Sequence, residues 1–265
     1  MTENYHKEFL SLVNDFSQNE NVEGILLAGS RATGNFDKDS DYDLYIYGYS
    51  EIPIEFRKKI AEKYFHYSEL DNRTWEQEDA GFLKGSGIQI DIIFRNIDWM
   101  KESLENVVKN HQASTGYTTC LWGNFINSKI LFDRNGILEN IYLQYNVDYP
   151  QELQKNIKDK NYPLLNSIIH AYTHQIQKAH ARKDYLSINH RITAFFESYF
   201  DILFAVNKKV HPGEKRMLKI ALETYSNLPE NMEKDIENIF HNMYSEIDNL
   251  HNLLIQLIKK LDKIL

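Results

Sequence analysis

Cysteine is almost absent: the single thiol among 265 residues is Cys120. That excludes an internal disulfide and any cysteine-rich zinc site. Basic residues are also short, with 30 Lys and Arg against 38 Asp and Glu, a net charge of -8 and a pI near 5.7. Proteins that hold nucleic acid generally carry a basic face, and the chain has no basic arm or aromatic–basic repeat for tracking a strand. A nucleic-acid partner is therefore not expected. No apolar run approaches membrane-spanning length, and the N-terminus lacks the basic-then-apolar layout of a signal peptide. A cytoplasmic protein with no membrane partner is the expectation. Internal repeats and low-complexity tracts are missing as well. What is present is an ordinary globular composition, rich in Tyr and Phe and long enough for two modest domains.

The first half alternates helix and strand signals. Residues Asn4 to Phe16 carry helical spacing, with Phe9, Leu10, Leu12, Val13 and Phe16 on one face. Val22–Ala28 and Tyr42–Tyr47 read as strands, and Ile54–Tyr64 as a helix opened by Pro53. Thr74–Phe82 and Gly87–Phe94 form a strand pair about the turn Lys84-Gly85-Ser86-Gly87. Ile97–His111 and Tyr117–Asn127 read as helices, and Lys129–Phe132 as a short strand. From about Gly136 the strand signal ends. Helices are expected near Leu138–Tyr145, Gln151–Lys160, Pro163–Lys183, Tyr185–Val206, Gly213–Tyr225 and Glu230–Leu265. In the last, Ile236, Phe240, Met243, Ile247, Leu250, Leu254, Leu257, Leu261 and Ile264 follow a heptad seam. Extra apolar residues at Leu253, Ile255 and Ile258 widen that stripe, which favours an amphipathic helix packed in its own bundle over a coiled coil. The expected class is α+β: a mixed sheet with flanking helices over residues 1–135, then an all-helical bundle over 136–265.

The chemistry concentrates in two segments. Leu26-Leu27-Ala28-Gly29-Ser30-Arg31 is a strand running into a small-residue turn, and Asp39-Ser40-Asp41-Tyr42-Asp43-Leu44 opens the next strand with two carboxylates two positions apart. Strand side chains alternate, so Asp41 and Asp43 share a face. Adjacent anions need a compensating cation, and a hard divalent ion such as Mg2+ takes carboxylate oxygens while keeping positions open for phosphate. Gly29-Ser30 offers small side chains and backbone N–H groups where a phosphate can approach. A third acid, Asp91, stands among isoleucines in Ile88-Gln89-Ile90-Asp91-Ile92-Ile93-Phe94, where an unpaired charge would cost several kcal/mol. Its bland alternative is a strand-end residue paired with Arg95.

Gly29-Ser30, Asp41-Tyr42-Asp43 and Asp91 together resemble the nucleotidyltransferase superfamily that shares its palm with DNA polymerase β. Within it, the chain looks most like bacterial enzymes that adenylylate aminoglycosides or lincosamides; Phe204-Ala205-Val206-Asn207-Lys208-Lys209, Pro212 and Lys215-Arg216 extend the likeness into the helical half. The resemblance implies that Asp41, Asp43 and Asp91 are metal ligands for two Mg2+ ions, with Asp91 also able to serve as general base. It implies that Gly29, Ser30, Arg31 and Lys215 bind the triphosphate of ATP or another NTP. The expected reaction moves a nucleoside monophosphate to a hydroxyl of a small-molecule acceptor, such as an aminoglycoside-like antibiotic, and releases pyrophosphate.

In the helical half Glu197, inside Ala194-Phe195-Phe196-Glu197-Ser198-Tyr199, is the candidate second base, with Asp184 and Asp201 weaker ones. Tyr117, Trp122 and Phe125 form an aromatic group able to stack on a ring or to fill a core. His170 and His174 stand four apart, yet no glutamate or cysteine completes a zinc site. Two other functions remain open. One is adenylylation of a protein hydroxyl, as in toxin–antitoxin systems; the other is a nucleotide sensor without catalysis. A monomer or homodimer is expected.

Overall fold

The computed structural model describes residues 5–34, 36, 40–245 and 247–265, with backbone alone for Tyr244, Ser245, Ile247 and Asp248. The expected helix start at Asn4, Asp39 at the head of the acidic segment and the seam side chain of Ile247 lie outside the described residues. The chain divides into two units: Met1–Glu105 with Asn124–Val147, and Asn106–Gly123 with Asp148–Leu265. The boundary expected at 135/136 falls inside the first unit.

The first unit is built on a six-stranded mixed sheet of order β3-β4-β5-β2-β1-β6. Its strands are β1 (Gly24–Ala28), β2 (Tyr42–Gly48), β3 (Phe65–Asn72), β4 (Gln77–Leu83), β5 (Gln89–Asn96) and β6 (Lys129–Asp133). β2 and β5 pair in parallel and the remaining neighbours are antiparallel. One face of the sheet packs on helices α1 (Lys7–Ser17) and α3 (Ile54–Tyr64). Alternation along β2 sends Tyr42, Leu44 and Ile46 into that core with Ile90 and Ile92 of β5. Phe9 of α1 stacks on Tyr42 with ring centroids 3.9 Å apart. Each such fully buried apolar side chain contributes roughly 1.5–3 kcal/mol. Leu10, expected on the buried face, is 46% exposed.

Strand β3 was not expected. It follows α3 without a loop, Phe65 being already extended, and as a sheet edge it carries mostly polar side chains, only Phe65 of them buried, with no sustained apolar alternation to betray it. The opposite face of the sheet carries Asp43, Tyr45 and Tyr47. Phe125 of α5 (Cys120–Ile126) meets Tyr47 edge-on at 6.4 Å, and Leu138 of α6 (Ile137–Tyr145) fills the space beside Gly24. Helix α4 spans Ile97–Val108, and the single turn α2 spans Gly29–Thr33.

The second unit is helical. Its centre is α9 (Tyr185–Val206), buried almost without interruption from Phe195 to Ala205. Around it lie α7 (Gln151–Tyr162), α8 (Tyr172–Ala181), α10 (Met217–Thr224), α11 (Met232–Ser245) and α12 (Ile247–Leu261). Two expected helices are each interrupted. Pro163–Lys183 is broken after a π-helical turn at Pro163–Ser167 by extended Ile168, and Thr173 Oγ donates to Leu165 O and to Asn166 Oδ1 beside the break. His170 is thereby left outside α8, so His170 and His174 do not share a helical face. The final helix is two, and the ion pair between Asp235 and Lys260 places the start of α11 beside the end of α12. Ile236, Met243, Leu250, Leu254, Leu257 and Leu261 point into the unit's own core, the bundle alternative for the seam, while Phe240 is 52% exposed.

Candidate active site

Strand register assembles the acidic group. Asp43, second in β2, lies opposite Ala28 of β1 on one side and Asp91 of β5 on the other, so both carboxylates project from one face. Asp41 precedes β2 by one residue. The three carboxylates, all half-buried, place oxygens within 4.8 Å of one another. Three like charges at that separation repel unless a cation or protons intervene. Gln89 Nε2 donates to both oxygens of Asp91, at 3.0 and 3.3 Å, which orients that group. The Arg95 alternative for Asp91 is not realised: the Arg95 guanidinium binds Glu76 through two bonds of 2.7 and 2.6 Å and lies over the Tyr45 ring at 4.1 Å. Burial pushes the Tyr45 phenol up, aided by the charge of Asp43 and opposed by Arg95.

Gly29 is required by space and by backbone. Its φ is +65°, and a Cβ there would stand 1.7 Å from Asp43 Oδ2. Only glycine lets β1 turn into α2 against that carboxylate. Ser30 follows, half-buried, with Gly29 exposed.

Arg31 is engaged with backbone. It is 4% exposed, and its guanidinium turns inward: Nε donates to the carbonyls of Ser40 and Asp41 at 2.9 Å each, and Nη2 donates to Ser40 O at 2.5 Å. The cation lies over Tyr42 at 4.1 Å and Phe36 at 5.2 Å. The guanidinium is thus turned to backbone carbonyls rather than to solvent. It fixes the backbone that carries Asp41, a role the sequence did not signal because the carbonyls it binds lie nine and ten residues away.

Glu197 and Lys215 belong to the second unit. Lys215 is exposed in the turn before α10, and Glu197 is half-buried on α9. The fully buried acid of α9 is instead Asp201. Its Oδ1 accepts from Thr118 N at 3.0 Å, and its Oδ2 accepts from Thr118 Oγ at 2.7 Å and Asn161 Nδ2 at 3.2 Å. Burial pushes Asp201 up to about 6 despite those bonds. These contacts make it a clamp on the 114–118 loop. Asp184 caps α9 by accepting from Ser187 N and Oγ, which lowers its pKa. Trp122 and Phe125 are core residues, each 2% exposed, whereas Tyr117 meets the buried His211 at a tilt, with ring centroids 4.7 Å apart.

The acid set suits a divalent metal: the donors are all carboxylate oxygens, half-buried, and converge from β5, β2 and the residue just before β2. Residues 11–110 match the family model described as polymerase beta nucleotidyltransferase, and this stretch contains Gly29, Ser30, Asp41, Asp43 and Asp91. The match supports nucleotidyl transfer in general and implies a nucleotide substrate for that part of the chain. No curated protein matches the sequence. Among solved structures, a nucleotidyltransferase-like protein from Exiguobacterium sibiricum 255-15 aligns at 10% identity and a TM-score of 0.44. The alignment covers 98% of this chain and 74% of that one. No helix among the described residues is long and apolar enough to cross a membrane.

Proposed function

We propose that the chain is a metal-dependent nucleotidyltransferase that moves AMP from ATP to a hydroxyl of a small molecule, with an aminoglycoside-like compound as acceptor. The observation that carries this is the convergence of Asp41, Asp43 and Asp91 within 4.8 Å, inside the stretch that matches the nucleotidyltransferase family. Those residues would hold two Mg2+ ions, which when bound neutralise triphosphate charge and lower the pKa of a coordinated hydroxyl.

The chain's own groups do the rest. Gly29 N–H and Ser30 donate to the β- and γ-phosphates, and the missing side chain at Gly29 lets them come close. Arg31 holds Asp41 in place through its backbone. The acceptor oxygen attacks the α-phosphorus, the bond to the β-phosphate oxygen breaks, and pyrophosphate departs. The hydroxyl proton passes to Asp91, which Gln89 keeps oriented.

Pyrophosphate release, measured with Mg2+, each ribonucleoside triphosphate and a panel of aminoglycosides and lincosamides, tests the proposal. The expected result is acceptor-dependent turnover with ATP that vanishes in the Asp41→Ala/Asp43→Ala variant. Turnover that survives in that variant contradicts it, and nucleotide binding without turnover on any acceptor favours the sensor reading.

A further inference from the structure

The helical unit contains a cavity of about 900 Å3. Every residue lining it belongs to that unit. The volume lies within the range of small-molecule sites. Its walls are largely aromatic and aliphatic: Phe196 and Phe200 come from α9, Leu222 from α10 and Phe240 from α11. Phe196 and Phe240 stack at 5.3 Å. Leu222 and Phe240 are 36% and 52% exposed, so apolar surface opens to solvent at the cavity.

The charges are unequally placed. Glu197, half-buried and next to Phe196, lines the cavity close enough to Tyr117 for its charge to help raise that phenol's pKa, after burial. Lys219 and Glu223 are exposed and pair with each other at 3.8 Å across one helical turn. Arg216 and Glu233 are also exposed. The one charge drawn part of the way out of water is therefore a carboxylate, and a ligand entering the cavity meets negative charge.

The rim of the cavity is held in an unfavourable backbone. Tyr117 and Arg216, both lining it, have φ of 53° and 60°. Such left-handed residues are strained and gather at ligand sites. The structure invests in holding Tyr117 there. Gly116 N donates to Asn161 Oδ1 at 3.0 Å, and Thr118 is tied to Asp201 through its N–H and its hydroxyl. A Cβ on Gly116 would lie 2.9 Å from Glu197 Cβ, so the loop rests directly on α9 at Glu197.

We propose that this cavity binds a small amphipathic amine, its ring enclosed by Phe196, Phe200 and Leu222 and its ammonium group held by Glu197 beside the Tyr117 ring. Apolar walls reward a ring over a polyhydroxylated body, and aromatic faces next to a carboxylate favour an ammonium ion. An anion would face Glu197 in a partly desolvated site. The assignment does not depend on what the three aspartates do.

Calorimetric titration of the full chain with three probes of one shape tests this: 2-naphthylmethylamine, 2-naphthylmethanol and 2-naphthoate. The amine is expected to bind at least ten-fold more tightly than the alcohol, with the acid weakest. Glu197→Gln should bring the amine down to the alcohol while leaving the alcohol's affinity unchanged, which also shows that the variant is folded. Leu222→Trp, which fills the cavity from its exposed edge, should weaken all three at least ten-fold with the melting temperature held. Equal affinity for the three probes, an amine preference that survives Glu197→Gln, or no binding by any probe overturns the proposal.

Discussion

At the scale of single residues, the candidate active site is governed by what Gly29 lacks and where Arg31 points. Gly29→Ala puts a methyl group 1.7 Å from Asp43 Oδ2 and strains a backbone at φ +65°. The expected result is a fall in kcat/KM on the order of 10²-fold or more, since a displaced catalytic group costs about that much. Pyrophosphate release checks it, with circular dichroism showing that the fold persists. Arg31 offers a finer test. Its planar guanidinium reaches two carbonyls at once while lying over Tyr42, and an ammonium group cannot do both. Arg31→Lys should therefore lower nucleotide affinity almost as far as Arg31→Ala, through the displacement of Asp41. A phosphate-binding role would instead leave the lysine variant largely active. Comparing KM for nucleotide in the two variants separates the roles.

At the scale of elements, α9 and the loop it clamps contain two buried groups that titrate in opposite senses. Burial raises Asp201 from 3.8 to about 6, so its folded form holds a proton more tightly than the unfolded chain. Stability from this source is complete below pH about 4 and is lost as pH rises through about 6. Burial lowers His211 from 6.5 to about 4, the opposite case. Its contribution is present above pH about 6.5 and is lost as pH falls through about 4. The two slopes oppose between pH 4 and 6, so the parent protein should show a shallow dependence there. Asp201→Asn should reveal a melting temperature that rises with pH across that window, and His211→Asn one that falls; differential scanning fluorimetry at half-unit pH steps reads both. Neither group could be assigned from sequence alone. Asp201 and Glu197 sit in the same aromatic helix four residues apart, and only the packing of the 114–118 loop decides which is buried. Helices and central strands were far more legible: α3 and α9 have the expected ends, because Pro53 and Asp184 mark their starts and the apolar period runs unbroken. The edge strand β3 and the break at Ile168 were not, since each depends on partners distant in sequence or on backbone geometry without a glycine to announce it.

At the scale of the whole molecule, the α+β class and the order of elements follow from the switch of apolar period near residue 136, but the two units do not separate there. Leu138, Ile141 and Tyr145 are buried in the first unit, and Leu138 occupies the space that a side chain at Gly24 would need. Leu138→Ala should destabilise the protein by about 2–5 kcal/mol in chemical denaturation, the usual cost of such a cavity. A solvated linker helix would lose almost nothing. The segment 106–123 belongs instead with the helical unit, held by Asp201 and Asn161. The acidic group was legible because strand alternation fixes which side chains share a face, whereas the cavity beside Glu197 assembles from segments more than a hundred residues apart and leaves no local pattern. The central claim is that Asp41, Asp43 and Asp91 form a metal and nucleotide site. Calorimetric titration of ATP into the protein with and without Mg2+ tests it without knowledge of the acceptor. Binding that requires Mg2+ and disappears in Asp41→Ala/Asp43→Ala is the predicted result; ATP affinity unchanged by Mg2+, or retained in that variant, would contradict the account.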